Sequence, residues 1–116
     1  MLSVKEKGIM LYIIKHCYRV ESKIDNVSYE TFLANEDIKE IVCFNILQIG
    51  ELVKNLSPEF LKQYSKIPWK DIKGMKDYLA HGYGTIDVKQ IYNTATSDIK
   101  ILRVYCEQII NKKNSH

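Results

Sequence analysis

His81 is the side chain of this sequence best suited to chemistry near neutral pH. It stands beside Gly82 and Gly84, with Asp77 four residues before it and Lys70, Lys73 and Lys76 upstream. An imidazole titrates near neutrality and can act as general acid or base, and a nearby cation can stabilise charge that builds on phosphoryl oxygens. On RNA the attacking group is present in the substrate as the 2′-hydroxyl, so the set suits phosphodiester cleavage. On a helix over 69–81, Ile72, Met75 and Leu79 fall within about 60° of one another as a buried stripe. Lys70, Lys73, Asp77 and His81 then line the opposite face. Asp77 is placed one turn before His81, where it can accept the ring proton and fix the tautomer. Lys76 lies at the rim, about 140° around from His81 at 100° per residue. The two converge only if the helix unwinds near Gly82 or a second copy of the chain brings its own helix alongside. A metal would want two or three ligands at one-turn spacing, and only Asp77 has that relation to His81, so no metal or cofactor is expected. A solvated amphipathic helix with a surface histidine accounts for the same spacing.

The elements that must position these residues read as helices. Over 36–56, Ile38, Ile41, Val42, Ile46, Ile49, Leu52, Val53 and Leu56 recur at three- and four-residue steps, predicting a long core-facing helix. A second long helix starts at Asp87, a capping residue that Gln90 can complete as a capping box, and runs through Ile91, Ala95, Ile99, Leu102 and Cys106 to Ile109. The segment from about 2 to 20 supplies Ile9, Met10, Ile13, Ile14 and Cys17 to a third. Short helices are expected over Tyr29–Leu33 and after Ser57-Pro58, where a cap precedes a proline at the first helical position. Ile67-Pro68 closes the latter, because a residue before proline avoids the helical region. No segment alternates with period two for long enough to be a strand. The expectation is an all-α antiparallel helical bundle with three long helices and shorter ones, forming one domain over 1–116.

Composition narrows the setting. The 116 residues are 46% hydrophobic and 27% charged, ordinary for a globular core and against disorder. No apolar run approaches the roughly 20 residues that span a bilayer, and the charged start is unlike a signal peptide. A soluble, cytoplasmic protein with no membrane association is expected. Cys17, Cys43 and Cys106 are odd in number and widely spaced, and read as buried core thiols rather than a disulfide framework. The net charge of +3 is too small to name a partner, but 15 of the 17 basic residues are Lys and only Arg19 and Arg103 are Arg. Trp69 and Tyr78 are of a type that stacks on bases, but core or interface packing is the expectation for both.

The string IPWKDIKGMKDYLAHGYGTID, preceded by IGELVKNLS, resembles the HepT-like branch of the HEPN superfamily, small helical proteins of prokaryotic toxin–antitoxin pairs. The likeness covers most of the chain: Ile49-Gly50-Glu51, Ser57-Pro58, Ile67-Pro68-Trp69, Gly74-Met75, and the stretch from His81 to Asp87. The family signature is Arg, four residues of free choice, His, one residue, then Tyr, often with Asn or Asp after the Arg. Lys76 stands at the Arg position, Asp77 follows it, and His81 and Tyr83 match the His and Tyr. The resemblance implies a homodimer whose signature helices form a composite, metal-independent endoribonuclease site. In that site His81 would be the general acid/base, Lys76 the phosphate-stabilising cation and Asp77 the orienting group, with Lys70 and Lys73 as possible RNA phosphate contacts. It further implies a partner, a nucleotidyltransferase antitoxin of the MntA type that adds AMP to Tyr83 and so places charge and bulk beside His81. The departure is Lys76, since Arg offers a planar fork for two phosphate oxygens and Lys a compact charge on a flexible stem. Two accounts follow: a weakened but working nuclease, or a degenerate dimer that binds a nucleotidyltransferase or nucleotide.

Overall fold

A computed structural model describes residues 2–81 and 87–114; for 77–81 and 112–114 it describes the backbone alone. Its helices are α1 (Val4–Ile24), α2 (Tyr29–Ala34), α3 (Glu36–Lys54), α4 (Pro58–Gln63), α5 (Trp69–His81), α6 (Val88–Asn93) and α7 (Ile99–Asn114), with a π-helical turn over Thr94–Asp98 between the last two. No strand occurs among the described residues.

Most helix starts carry a side-chain cap that supplies an acceptor to otherwise unpaired amides. Ser3 and Glu6 form a reciprocal capping box at α1, the Ser3 hydroxyl accepting from the Glu6 amide at 3.0 Å while the Ser3 amide donates to Glu6 Oε1 at 2.9 Å. Ser28 caps α2, Asn35 caps α3, Ser57 caps α4 with Pro58 in the first turn, and Asp87 caps α6 by accepting from the Lys89 amide. After Pro68, α5 begins at Trp69, and Asp71 in its first turn complements the helix dipole.

α1 packs against α3 on one side and α7 on the other, and α3 in turn packs against α5. The fully buried side chains Met10, Ile13, Cys17 and Val20 of α1, Val42, Ile46 and Ile49 of α3, and Leu102 and Cys106 of α7 form the centre, and Phe32 of α2 closes one end. Trp69 belongs to this core: its indole N–H donates to the Tyr64 carbonyl at 3.0 Å and its ring lies near Phe60. None of the described helices is long and apolar enough to cross a membrane.

Three details depart from expectation. α1 runs to Ile24 instead of about 20, because Val20 and Ile24 continue its buried face. The final helix is not uniform. On a pure α-helix the eight residues from Ile91 to Ile99 advance about 80° past two full turns, which would rotate Ile99 out of line. The wider π turn absorbs that advance and leaves Ile91, Ala95 and Ile99 all buried, and the Thr96 hydroxyl donates to the Tyr92 carbonyl at 2.8 Å within it. Cys43 is only partly buried, unlike Cys17 and Cys106, because it lies off the main core direction of α3. Desolvation still pushes its thiol up to about 11, partly offset by Lys39, and pushes Cys106 up to about 12 and Cys17 upward more strongly. All three are held as inert thiols.

Candidate active site

The site is built where α5 crosses α3. A glycine inside a helix costs about 1 kcal/mol relative to alanine, so one kept on a buried face points to a packing reason. Gly50 has that reason: a Cβ placed on it would run into Cβ and Cγ of Lys76 and lie 3.4 Å from its Cδ. The bare backbone of α3 at Gly50 therefore forms the floor on which the Lys76 stem lies. The next residue of α3 supplies the end point, with Lys76 Nζ 3.1 Å from Glu51 Oε1. The Lys76 side chain is 17% exposed and that of Glu51 53%. So exposed a pair contributes at most about 1 kcal/mol to stability. Its consequence is positional, because it holds a cation at the helix seam and one of its faces toward solvent.

The structure thus places Lys76 at the rim of α5, as its spacing requires, with Ile72 and Met75 buried beside it. Lys70 and Lys73 are exposed on α5, and among the described residues neither pairs with a carboxylate. His81 is the last residue of α5 and Asp77 lies one turn before it. Their side chains, and that of Tyr78, fall outside the described atoms, as does Tyr83 altogether. The expected Asp77–His81 pairing and the role of Tyr83 lie outside the described residues.

Glu51 and Gly50 received no role from spacing, although they stood in the recognised string. The signal was available: a glycine in the middle of an apolar helical face, followed at once by a carboxylate. A second polar device sits in the α1–α3 seam, where the buried Asn45 amide oxygen meets His16 Nδ1 at 2.7 Å and its amide nitrogen donates to the Ile41 carbonyl at 2.8 Å. With an amide oxygen as partner, Nδ1 carries the proton. His16 is therefore a structural donor. A third joins α1 to α7: Arg103 Nε and Nη2 meet Glu21 at 2.6 and 3.0 Å, and Nη1 meets Glu107 at 2.6 Å. One of the two arginines is thereby committed to holding helices together.

Comparison with known proteins gives this geometry its relatives. The chain is 31% identical over 102 residues to "Putative RNase TTE0752" of Caldanaerobacter subterraneus subsp. tengcongensis, covering 88% of this chain and 91% of the relative. It is 31% identical over 104 residues to "Putative RNase MJ1216" of Methanocaldococcus jannaschii, covering 90% and 86%. It is 29% identical over 90 residues to "Probable ribonuclease HepT" of Thermococcus cleftensis, covering 78% and 82%. No solved structure matches the chain. The model of the family described as ribonuclease HepT-like matches residues 13–109, a span that holds both α3 with Gly50-Glu51 and the whole of α5. The chain belongs to the ribonuclease HepT-like family of the HEPN superfamily.

Proposed function

We propose that this protein is the toxin of a toxin–antitoxin pair and cleaves RNA without a metal, at a site composed across a homodimer. The observation that carries the reading is the cation of Lys76, held by Gly50 and Glu51 on the same helix that ends in His81. In the reaction the 2′-oxygen forms its bond to phosphorus as the bond to the 5′-oxygen breaks. His81 takes the 2′ proton or supplies one to the leaving oxygen, and Lys76 offsets the charge on the phosphoryl oxygens. The products are a 2′,3′-cyclic phosphate and a 5′-hydroxyl. Asp77 orients His81, and Lys70 and Lys73 contact flanking phosphates. A second copy supplies the convergence that one straight helix denies to Lys76 and His81. A nucleotidyltransferase antitoxin of the MntA type silences the site by adding AMP to Tyr83.

A second reading draws on the same lysine: Glu51 already occupies part of its donor capacity, which suits a degenerate dimer that only binds a nucleotidyltransferase or nucleotide. One experiment separates the two. Single-stranded RNA is incubated with the purified protein in excess chelator, comparing wild type with His81→Ala, Lys76→Arg and Glu51→Gln. The nuclease reading expects cleavage to vanish in His81→Ala and to rise in Lys76→Arg, where a fork replaces a point charge. In Glu51→Gln it expects kcat to fall by about tenfold, roughly 1.4 kcal/mol of transition-state positioning, with little change in melting temperature. RNA left intact by both wild type and Lys76→Arg refutes the catalytic reading. Incubation with the antitoxin and ATP is expected to add one AMP group, and to fail in Tyr83→Phe.

A further inference from the structure

The small total charge conceals a concentrated one along α1. On α1, Lys5, Tyr12, Lys15, Arg19 and Lys23 recur at steps of seven, three, four and four, and so share about 80° of the helix circumference. All five are exposed. The two acidic residues of α1 face elsewhere: Glu6 is engaged with Ser3 and Glu21 with Arg103. Among the described residues no carboxylate lies within 4 Å of any of the four cations, although α3 carries exposed Asp37 and Glu40. From Lys5 to Lys23 the row extends about 27 Å at 1.5 Å per residue.

Aromatic rings accompany the charge. Tyr12 is 57% exposed, with Lys15 Nζ 5.8 Å from its ring centre, and Phe44 on the neighbouring α3 is 54% exposed. Phe44 stands about 60° around α3 from Ile41, which lines the seam, on the exposed face that also carries Glu51. Between the helices a shallow cavity of about 360 Å³ is lined by Arg19, Ser22, Lys23, Ile41 and Asn45 among others. A folded acidic partner would gain little from two isolated flat rings, and a duplex offers no free bases to them. Unpaired cations in a row with exposed rings beside them fit a polyanion that carries planar groups. We infer that the α1–α3 seam is a binding track for single-stranded RNA, with Lys5, Lys15, Arg19 and Lys23 on phosphates and Tyr12 and Phe44 under bases. The inference deepens the ribonuclease reading by giving the substrate a path outside the cleavage site.

The test measures binding apart from cutting. A labelled 2′-O-methyl oligouridylate, which lacks the attacking hydroxyl, is titrated with the full chain by fluorescence anisotropy at several salt concentrations. The triple variant Lys15→Gln, Arg19→Gln, Lys23→Gln is compared with a control of equal charge loss, Lys62→Gln, Lys66→Gln, Lys100→Gln. The track variant is expected to lower the slope of log K against log salt by about 2, at about 0.7 per lost single-strand phosphate contact, and to bind at least about tenfold more weakly. Tyr12→Ala is expected to weaken binding about tenfold with the slope unchanged. Equal behaviour of the two triple variants, or unaltered binding in the track variant, overturns the proposal. So does a change in sedimentation mass with RNA binding intact, which assigns the seam to contact between copies. Cutting of the matching ribo-oligonucleotide by wild type and by Lys76→Arg is scored alongside; binding with no cutting by either refutes the nuclease reading and leaves the track standing.

Discussion

Replacing Gly50 by alanine tests the seam most directly, because the structure sets both the sign and the size of the effect. Ordinary carbon–carbon contacts lie at about 3.5–4.0 Å. A Cβ at Gly50 falls well inside that range on Lys76 Cβ and Cγ. Lys76 Cβ is fixed to the backbone of α5, so a change of rotamer cannot clear it, and α3 and α5 must part by on the order of 1 Å. Overpacking of this kind costs about 1–3 kcal/mol, and the better helix propensity of alanine returns up to about 1. The net loss is about 1–2 kcal/mol, a fall in melting temperature of roughly 4–10 °C for a chain of this size. Two other helical glycines serve as internal controls, since nothing lies within 4 Å of a Cβ built on Gly8 or Gly74. Gly8→Ala and Gly74→Ala are each expected to raise stability by about 0.5–1 kcal/mol. The assay is thermal and urea unfolding of the four proteins at one protein concentration. A Gly50→Ala protein as stable as Gly74→Ala would mean that α5 does not approach α3 at this point, and the positioning of Lys76 would lose its basis.

Two further predictions concern groups away from that seam. Arg103→Ala strips partly buried Glu21 and Glu107 of their shared partner and is expected to cost about 2–3 kcal/mol, while Arg103→Lys recovers about half, since an ammonium cannot reproduce the paired contacts to Glu21; urea unfolding measures both. Asp98, in the π turn, has its carboxyl raised above the usual carboxylate range, chiefly by burial and secondly by Asp71. A group raised in the folded state favours folding when protonated, and that benefit is lost as pH climbs through its folded pKa. Asp98→Asn is therefore expected to raise the melting temperature at pH 7 and to leave it nearly unchanged at pH 3; an equal gain at both pH values contradicts the assignment.

What could be read from the chain alone follows the range of the signals. Ser57-Pro58 and Ile67-Pro68 act on their immediate neighbours, so α4 and the start of α5 were legible within a residue or so. The hydrophobic steps of α3 and the last helix were legible because core burial imposes its period over several turns. The π turn was not, because Ile91, Ala95 and Ile99 are separated by four residues, a step compatible with an α-helix until its accumulated phase is counted. Lys76 could be placed at the rim of α5 from its angle. Its tie to Glu51 could not, since the two stand 25 positions apart and no local rule pairs them. Arg103 with Glu21 is hidden for the same reason, 82 positions apart.

The π turn also bears on how this chain can change length. A single widened turn is geometrically an α-helix with one residue added, and everything after it keeps the orientation it would have without that residue. Removing exposed Ser97 restores a plain α-helix and still directs Leu102, Cys106 and Ile109 inward, whereas removing a residue within α7 turns every later side chain by about 100°. The last helix thus contains one site where a deletion shortens the protein without scrambling its interior, and related chains one residue shorter there can share the same core.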